Sequence, residues 1–171
     1  MIIGAKDPKL QHFLAWMKTL DHTRPSEWYP DPTDPKFLAW SIVEDDVGVV
    51  AASAIQSYGP SARIITRFCI DPVFRTQGMQ QPTINGKTFA FHMVEEQLLW
   101  CRMNGINNAF FSTENDRVGV IKRHVRIAKT LGLKCQLLPR RYNTCAPGEC
   151  WQNICLYPLS EKPFAGLECE Q

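Results

Sequence analysis

Between residues 37 and 70, three β-rich runs follow one another with no helical period between them. Residues 37–44 and 47–57 meet at Asp45-Asp46, and residues 63–70 (RIITRFCI) follow the turn Tyr58-Gly59-Pro60-Ser61. Connections this short cannot hold a crossover helix, so the runs predict an antiparallel meander. On the N-terminal side, residues 8–20 repeat Leu10, Phe13, Leu14, Met17 and Leu20 at helical spacing behind Asp7-Pro8, a capping residue and a first-turn proline. Residues 21–35, rich in Pro, Asp and Thr, predict a long loop pinned by Trp28 and Tyr29.

Beyond the meander, residues 71–86 predict a loop containing Pro72, Gly78, Pro82 and Gly86. Residues 87–104 form a helix with Phe91, Val94, Leu98 and Cys101 on one face and Gly105 as its stop. Residues 108–112 predict a short buried strand. Residues 118–131 form a helix whose stripe is Val118, Ile121, Val125, Ala128 and Leu131, stopped by Gly132. Residues 134–139 and 151–157 are two last strands, and the tail from 158 reads as irregular. Helix, three strands, helix, strand, helix and two strands together predict a single α/β (α+β) domain over residues 1–157. Its sheet is mixed, mostly antiparallel and flanked by helices.

With 44% hydrophobic and 21% charged residues, the 171-residue chain has globular composition. It lacks an apolar run long enough for a membrane helix. Its first residues turn polar too soon for an export segment, so a cytoplasmic location is expected. A net charge of +2 argues against a nucleic-acid partner. The seven cysteines are expected as reduced, mostly buried thiols. Cys135, Cys145, Cys150 and Cys155 lack the two-residue gap typical of structural zinc, and a β-hairpin with inward thiols accounts for them better. No metal site is expected. Gly86-Lys87-Thr88 is misplaced for a phosphate-binding loop and reads as a helix start.

The chemistry-bearing segment is Ile70-Asp71-Pro72-Val73-Phe74-Arg75-Thr76-Gln77-Gly78-Met79-Gln80. It resembles the strand-to-loop motif of the GNAT N-acetyltransferases, with Pro72, Arg75 and Gly78 in register, and the element order is similar to that fold. The resemblance implies an acyl-CoA-dependent N-acyltransferase with acetyl-CoA as co-substrate and a small-molecule or protein amine as acceptor. Main-chain groups of Phe68, Cys69 and Ile70 would meet the pantetheine arm and thioester. Arg75, Thr76, Gln77, Gly78, Met79 and Gln80 would cradle the pyrophosphate, where a tight loop running into a helix N-terminus offers unpaired amides. An ordinary strand-to-helix turn would use the same proline and glycine.

Catalytic candidates are Glu114 as base, and His124 or Tyr142 as acid or base. Against these stand plainer readings: helix capping around Glu114 and Asp116, and a solvated helix position for His124. Two departures stand out. Gln80 replaces the last glycine of the family loop, and Ala128 occupies the position where many members carry a proton-donating tyrosine. The segment from His124 to Gly132 (His-x-Arg-x-x-Lys-x-x-Gly) also resembles short acetyltransferase-like proteins of bacteriophages. The rival reading is therefore a non-catalytic GNAT-like virion or assembly protein, with aromatics such as Trp16, Trp28, Tyr29, Trp100 and Trp151 supplying its partner surface.

Overall fold

Asp7 behaves as its sequence predicts: its carboxylate accepts the Lys9 amide at 2.9 Å and its carbonyl accepts the Gln11 amide. It thereby starts α1 (Pro8–Leu20) in the computed structural model, which describes residues 1–20, 29–75, 83–84, 86–114, 118–142 and 150–161. The remaining elements are β1 (Ile2–Ile3), β2 (Phe37–Glu44), β3 (Val49–Tyr58), β4 (Ser61–Ile70), α2 (Pro72–Arg75), β5 (Thr83–Ile84), β6 (Lys87–Thr88), α3 (Phe89–Met103), β7 (Asn108–Glu114), α4 (Val118–Thr130), β8 (Gln136–Tyr142) and β9 (Cys150–Pro158). Seven strands form a mixed sheet in the order β1-β2-β3-β4-β7-β9-β8, with β4 and β7 parallel. The predicted order is present. The additions are β1, α2 and the separate β5–β6 pair.

Contacts group the chain into two units. The first comprises residues 1–57 and 64–100. Here β1 pairs with β2, Ile2 opposite Ser41, and β2 pairs antiparallel with β3. Strand β2 is buried on both faces over Ala39–Val43. Leu10, Phe13, Leu14 and Met17 of α1 pack with Phe37, Trp40 and Ile42. The Asp45–Gly48 connection is held by the Asp45 carboxylate, which accepts the Val47 and Gly48 amides.

The second unit comprises residues 58–63 and 101–171. Strands β7, β9 and β8 form its antiparallel sheet, and Ser61–Arg63 run parallel to Asn108–Phe110. On α4, Ile121 and Ala128 of the predicted stripe are buried, whereas Val125 is 45% exposed and His124 and Ile127 are buried beside them. Both helix stops hold. Gly132 has φ +66° and donates to Lys129 O, while Leu133 N donates to Ala128 O. Gly105 repeats this geometry at the end of α3.

Of the aromatics expected at a partner surface, Tyr29 is buried, Trp100 half-buried and Trp16 37% exposed. Trp28 lies outside the described residues, as does the side chain of Trp151. No helix among the described residues is long and apolar enough to cross a membrane.

Candidate functional site

Strand β4 is irregular in its second half. Ile65 and Arg67 have φ of +53° and +54°, in the left-handed region that β-branched residues such as isoleucine almost never enter. Each such residue costs on the order of 1–3 kcal/mol and persists only where its surroundings hold it. The two-residue turn Gly59-Pro60 joins Tyr58 to Ser61, whereas further along Asp71 N donates to Val50 O at 2.9 Å. Thus the eight-residue step from Val50 to Tyr58 faces the ten-residue step from Ser61 to Asp71. β4 carries two extra residues, matching its two left-handed positions, and the peptide groups beside them turn off the regular ladder direction.

The holding group comes from α3. Gln97 is 0% exposed, and its Oε1 accepts the Ile65 amide at 2.7 Å. Its Nε2 donates to Ser41 Oγ at 3.0 Å and to Ser53 O at 3.1 Å. A carbonyl on one side and an amide on the other fix which way the carboxamide faces. Ser53 Oγ then donates to Thr66 O, and Thr66 Oγ1 donates to Gln56 Oε1. No sequence motif marks Gln97, because its partners lie 32 to 56 residues away.

Downstream, Cys69 is buried with its thiol against Ala52 O, while Phe68 and Ile70 are half-buried. Asp71 builds the next turn: its carboxylate accepts Val73 N and its carbonyl accepts Phe74 N. Phe74 packs against Phe89 with ring centroids 5.9 Å apart. The amides of Asp71, Val73 and Phe74 are therefore used within the chain, and Pro72 has none. Any pyrophosphate cradle must begin at Arg75. Thr76, Gln77, Gly78, Met79 and Gln80 lie outside the described residues, as does the Arg75 side chain.

The predicted loop does not run straight into a helix. Ile84 pairs with Lys87, with Asn85-Gly86 between them, and α3 starts only at Phe89. Thr88 Oγ1 accepts the Phe91 amide, which satisfies one of the helix's first donors internally. Lys87 and Thr88, read from sequence as a helix start, are strand, because Asn-Gly favours a two-residue hairpin turn.

In the second unit, Glu114 opposes Gln152 and Tyr142 opposes Cys150, so the backbone places both candidates at the same end of the β7–β9–β8 sheet. Their side chains lie outside the description. His124 belongs elsewhere. It is 4% exposed, stacks on Phe111 at 4.0 Å and 9°, and its Nδ1 lies 2.7 Å from Tyr157 Oη. Phe111 is three residues along β7 from Glu114, roughly 10 Å at strand rise. Burial, reinforced by Arg123, pushes His124 down to about 4. The expected solvated position is thus overturned: the aromatic neighbours draw the ring into the core. Ala128 is buried, and its methyl offers no proton. Cys101 is buried and its thiol is pushed up to about 12 by that burial. Cys150 opposes Tyr142 and Cys155 opposes Leu137 in the β8–β9 hairpin. Among the described residues no group of His, Cys, Asp and Glu is arranged to hold a metal.

No family model and no curated protein matches the sequence. Solved structures do match by shape. The ribosomal-protein-S18-alanine N-acetyltransferase from Escherichia coli aligns with a TM-score of 0.59 at 14% identity, over 98% of this chain and 99% of that one. A GNAT superfamily phosphinothricin acetyltransferase from Sinorhizobium meliloti, in complex with AcCoA, aligns at 0.58 and 12% identity, over 98% and 94%. The ribosomal-protein-alanine N-acetyltransferase from Brucella melitensis aligns at 0.57 and 11% identity, over 92% and 99%. With a mixed seven-stranded sheet and four helices among the described residues, the chain has the GNAT acetyltransferase fold.

Proposed function

We propose that this chain is an acyl-CoA-dependent N-acyltransferase that moves an acetyl group from acetyl-CoA to an amine. The observation that carries this reading is the doubly left-handed β4, immediately upstream of the register Pro72, Arg75 and Gly78. A strand that spends conformational strain to turn peptide groups off its ladder resembles an acyl-binding edge more than an ordinary core strand. The near full-length fold match to an enzyme solved with AcCoA supports the same cofactor.

In this reading the amine nitrogen attacks the thioester carbonyl carbon directly. A carbon–nitrogen bond forms, the carbon–sulfur bond breaks, the amine proton passes to a base and the departing thiolate is reprotonated. Main-chain groups at Phe68, Cys69 and Ile70 would polarise the thioester carbonyl, an effect worth about 3 kcal/mol per donor. Glu114 is the proposed base and Tyr142 the proposed proton donor. His124 has no part in the chemistry, since its ring is sealed between Phe111 and Tyr157. Arg75–Gln80 would take the pyrophosphate.

The test is release of coenzyme A thiol from acetyl-CoA over a panel of primary amines, including peptides with N-terminal alanine. Amine-dependent release supports the reading, and no release from any amine by protein that binds acetyl-CoA counts against transfer. A second reading, a GNAT-like protein without catalysis in a phage particle or other assembly, is favoured by one observation. Ala128, where the family tyrosine would stand, is buried and proton-less.

A further inference from the structure

We propose that Gln97 is a positioning residue: its carboxamide holds the left-handed turn of β4 at Ile65 and so sets where the following main-chain groups point. The geometric part stands on its own. Its consequence for acetyl-CoA rests on the acyltransferase reading.

A carboxamide has the same donor and acceptor as a peptide group. Here it stands in for a strand neighbour, accepting Ile65 N–H of β4 and donating to Ser53 O of β3. The Ser53 carbonyl also lies in the β2–β3 ladder opposite Ser41, so Ile65 N–H is the group that depends on Gln97, which is wholly buried. Ser41 Oγ takes the second amide hydrogen, and Ser53 Oγ binds the Thr66 carbonyl, so the residue between the two left-handed positions is clamped as well.

Removing the carboxamide leaves Ile65 N–H an orphan donor. It can rejoin the β3 ladder if β4 sheds its extra residue at position 65. A one-residue slip exchanges the faces of the strand beyond it. Cys69, now buried, would trade sides with half-buried Phe68 and Ile70, and the shift would reach the Asp71 turn that opens the proposed cofactor loop.

The experiment compares wild type, Gln97→Leu and Gln97→Glu. Backbone chemical shifts at Ile65 and Arg67 report the sign of φ, thermal unfolding reports folding, and calorimetric titration with acetyl-CoA reports binding. Leucine removes both hydrogen-bonding ends. Glutamate keeps the acceptor for Ile65 N–H, so it is the conservative rescue.

Expected are left-handed shifts in wild type and extended Ile65 shifts in folded Gln97→Leu, with acetyl-CoA affinity lower by at least about tenfold. Gln97→Glu should melt lower yet keep the left-handed shifts and near-wild-type affinity. Left-handed shifts surviving in Gln97→Leu would overturn the proposal. So would wild-type affinity in a Gln97→Leu protein whose Ile65 has become extended. Should Gln97→Leu not fold, Gln97→Glu decides: retained left-handed shifts and affinity support the hold, and extended shifts overturn it. If wild type itself binds no acetyl-CoA, the acyltransferase reading fails, and the shift comparison still judges the role of Gln97.

Discussion

His124 Nδ1 and Tyr157 Oη lie 2.7 Å apart, joining the middle of α4 to the end of β9 inside the second unit. Tyr157 Oη also lies 3.3 Å from the His124 carbonyl, so one phenol meets both the ring and the backbone of the same residue. Neutral imidazole satisfies this arrangement. A proton added to the ring would be buried with little water to solvate it.

The pair predicts how stability depends on pH. The folded pKa of His124, about 4, lies below its ordinary value of 6.5. Between those values the unfolded chain binds the proton and the folded chain does not, so stability falls as pH drops from 6.5 towards 4 and this contribution levels off below. At about 1.36 kcal/mol per pKa unit, the loss is about 3 kcal/mol. Urea midpoints over that range should fall more steeply for wild type than for His124→Phe. Parallel curves would show that His124 does not titrate this way.

Tyr157→Phe removes only the hydroxyl and leaves His124 Nδ1 without that partner. We expect about 1–2 kcal/mol of destabilisation at pH 7, read from the urea midpoint. An unchanged midpoint would mean the contact contributes nothing.

Two glycine substitutions should act in opposite directions. Gly132 has φ +66° and open space around a built Cβ, so Gly132→Ala costs only the left-handed penalty, about 1 kcal/mol. Gly119, exposed near the start of α4 with right-handed φ and equally open space, should gain up to about 0.5 kcal/mol as alanine, from helix propensity and a less flexible unfolded chain. Thermal unfolding of both variants decides, and shifts of the same sign would contradict the helix description.

Thiol labelling should discriminate between Cys101 and Cys135. Cys101 is fully buried and its thiol is pushed up to about 12, whereas Cys135 is half-buried in the α4–β8 connection. Iodoacetamide at pH 8 followed by peptide mapping should modify Cys135 well before Cys101. The reverse order would place Cys101 nearer solvent than described.

Much of this fold was legible because its punctuation is local. Asp7, Gly105 and Gly132 each act on amides within five residues, and each ends or begins a helix where the sequence places it. What escaped was non-local. Ile2–Ile3 becomes a strand only because Ser41 and Trp40 lie opposite. His124 left the solvent side of its helix because Phe111 and Tyr157 receive it. Gln97, between Glu96 and Leu98, carries no local signal, because Ser41, Ser53 and Ile65 converge on it from other strands. The left-handed Ile65 is hidden because isoleucine otherwise signals a regular strand. One difference is local: Ile84 pairs with Lys87, a short strand pair inside the expected loop and helix start. Of the proposed cofactor segment, the sequence register placed the turn at Pro72, but not that Asp71 consumes the first amides beyond β4.

An acyltransferase of this kind must take up coenzyme A. Isothermal titration with acetyl-CoA, repeated with free coenzyme A, measures that directly. We predict saturable binding of both with a dissociation constant below about 1 mM, the upper end of ordinary enzyme substrate affinities. Flat titrations of folded protein at millimolar acetyl-CoA would contradict it.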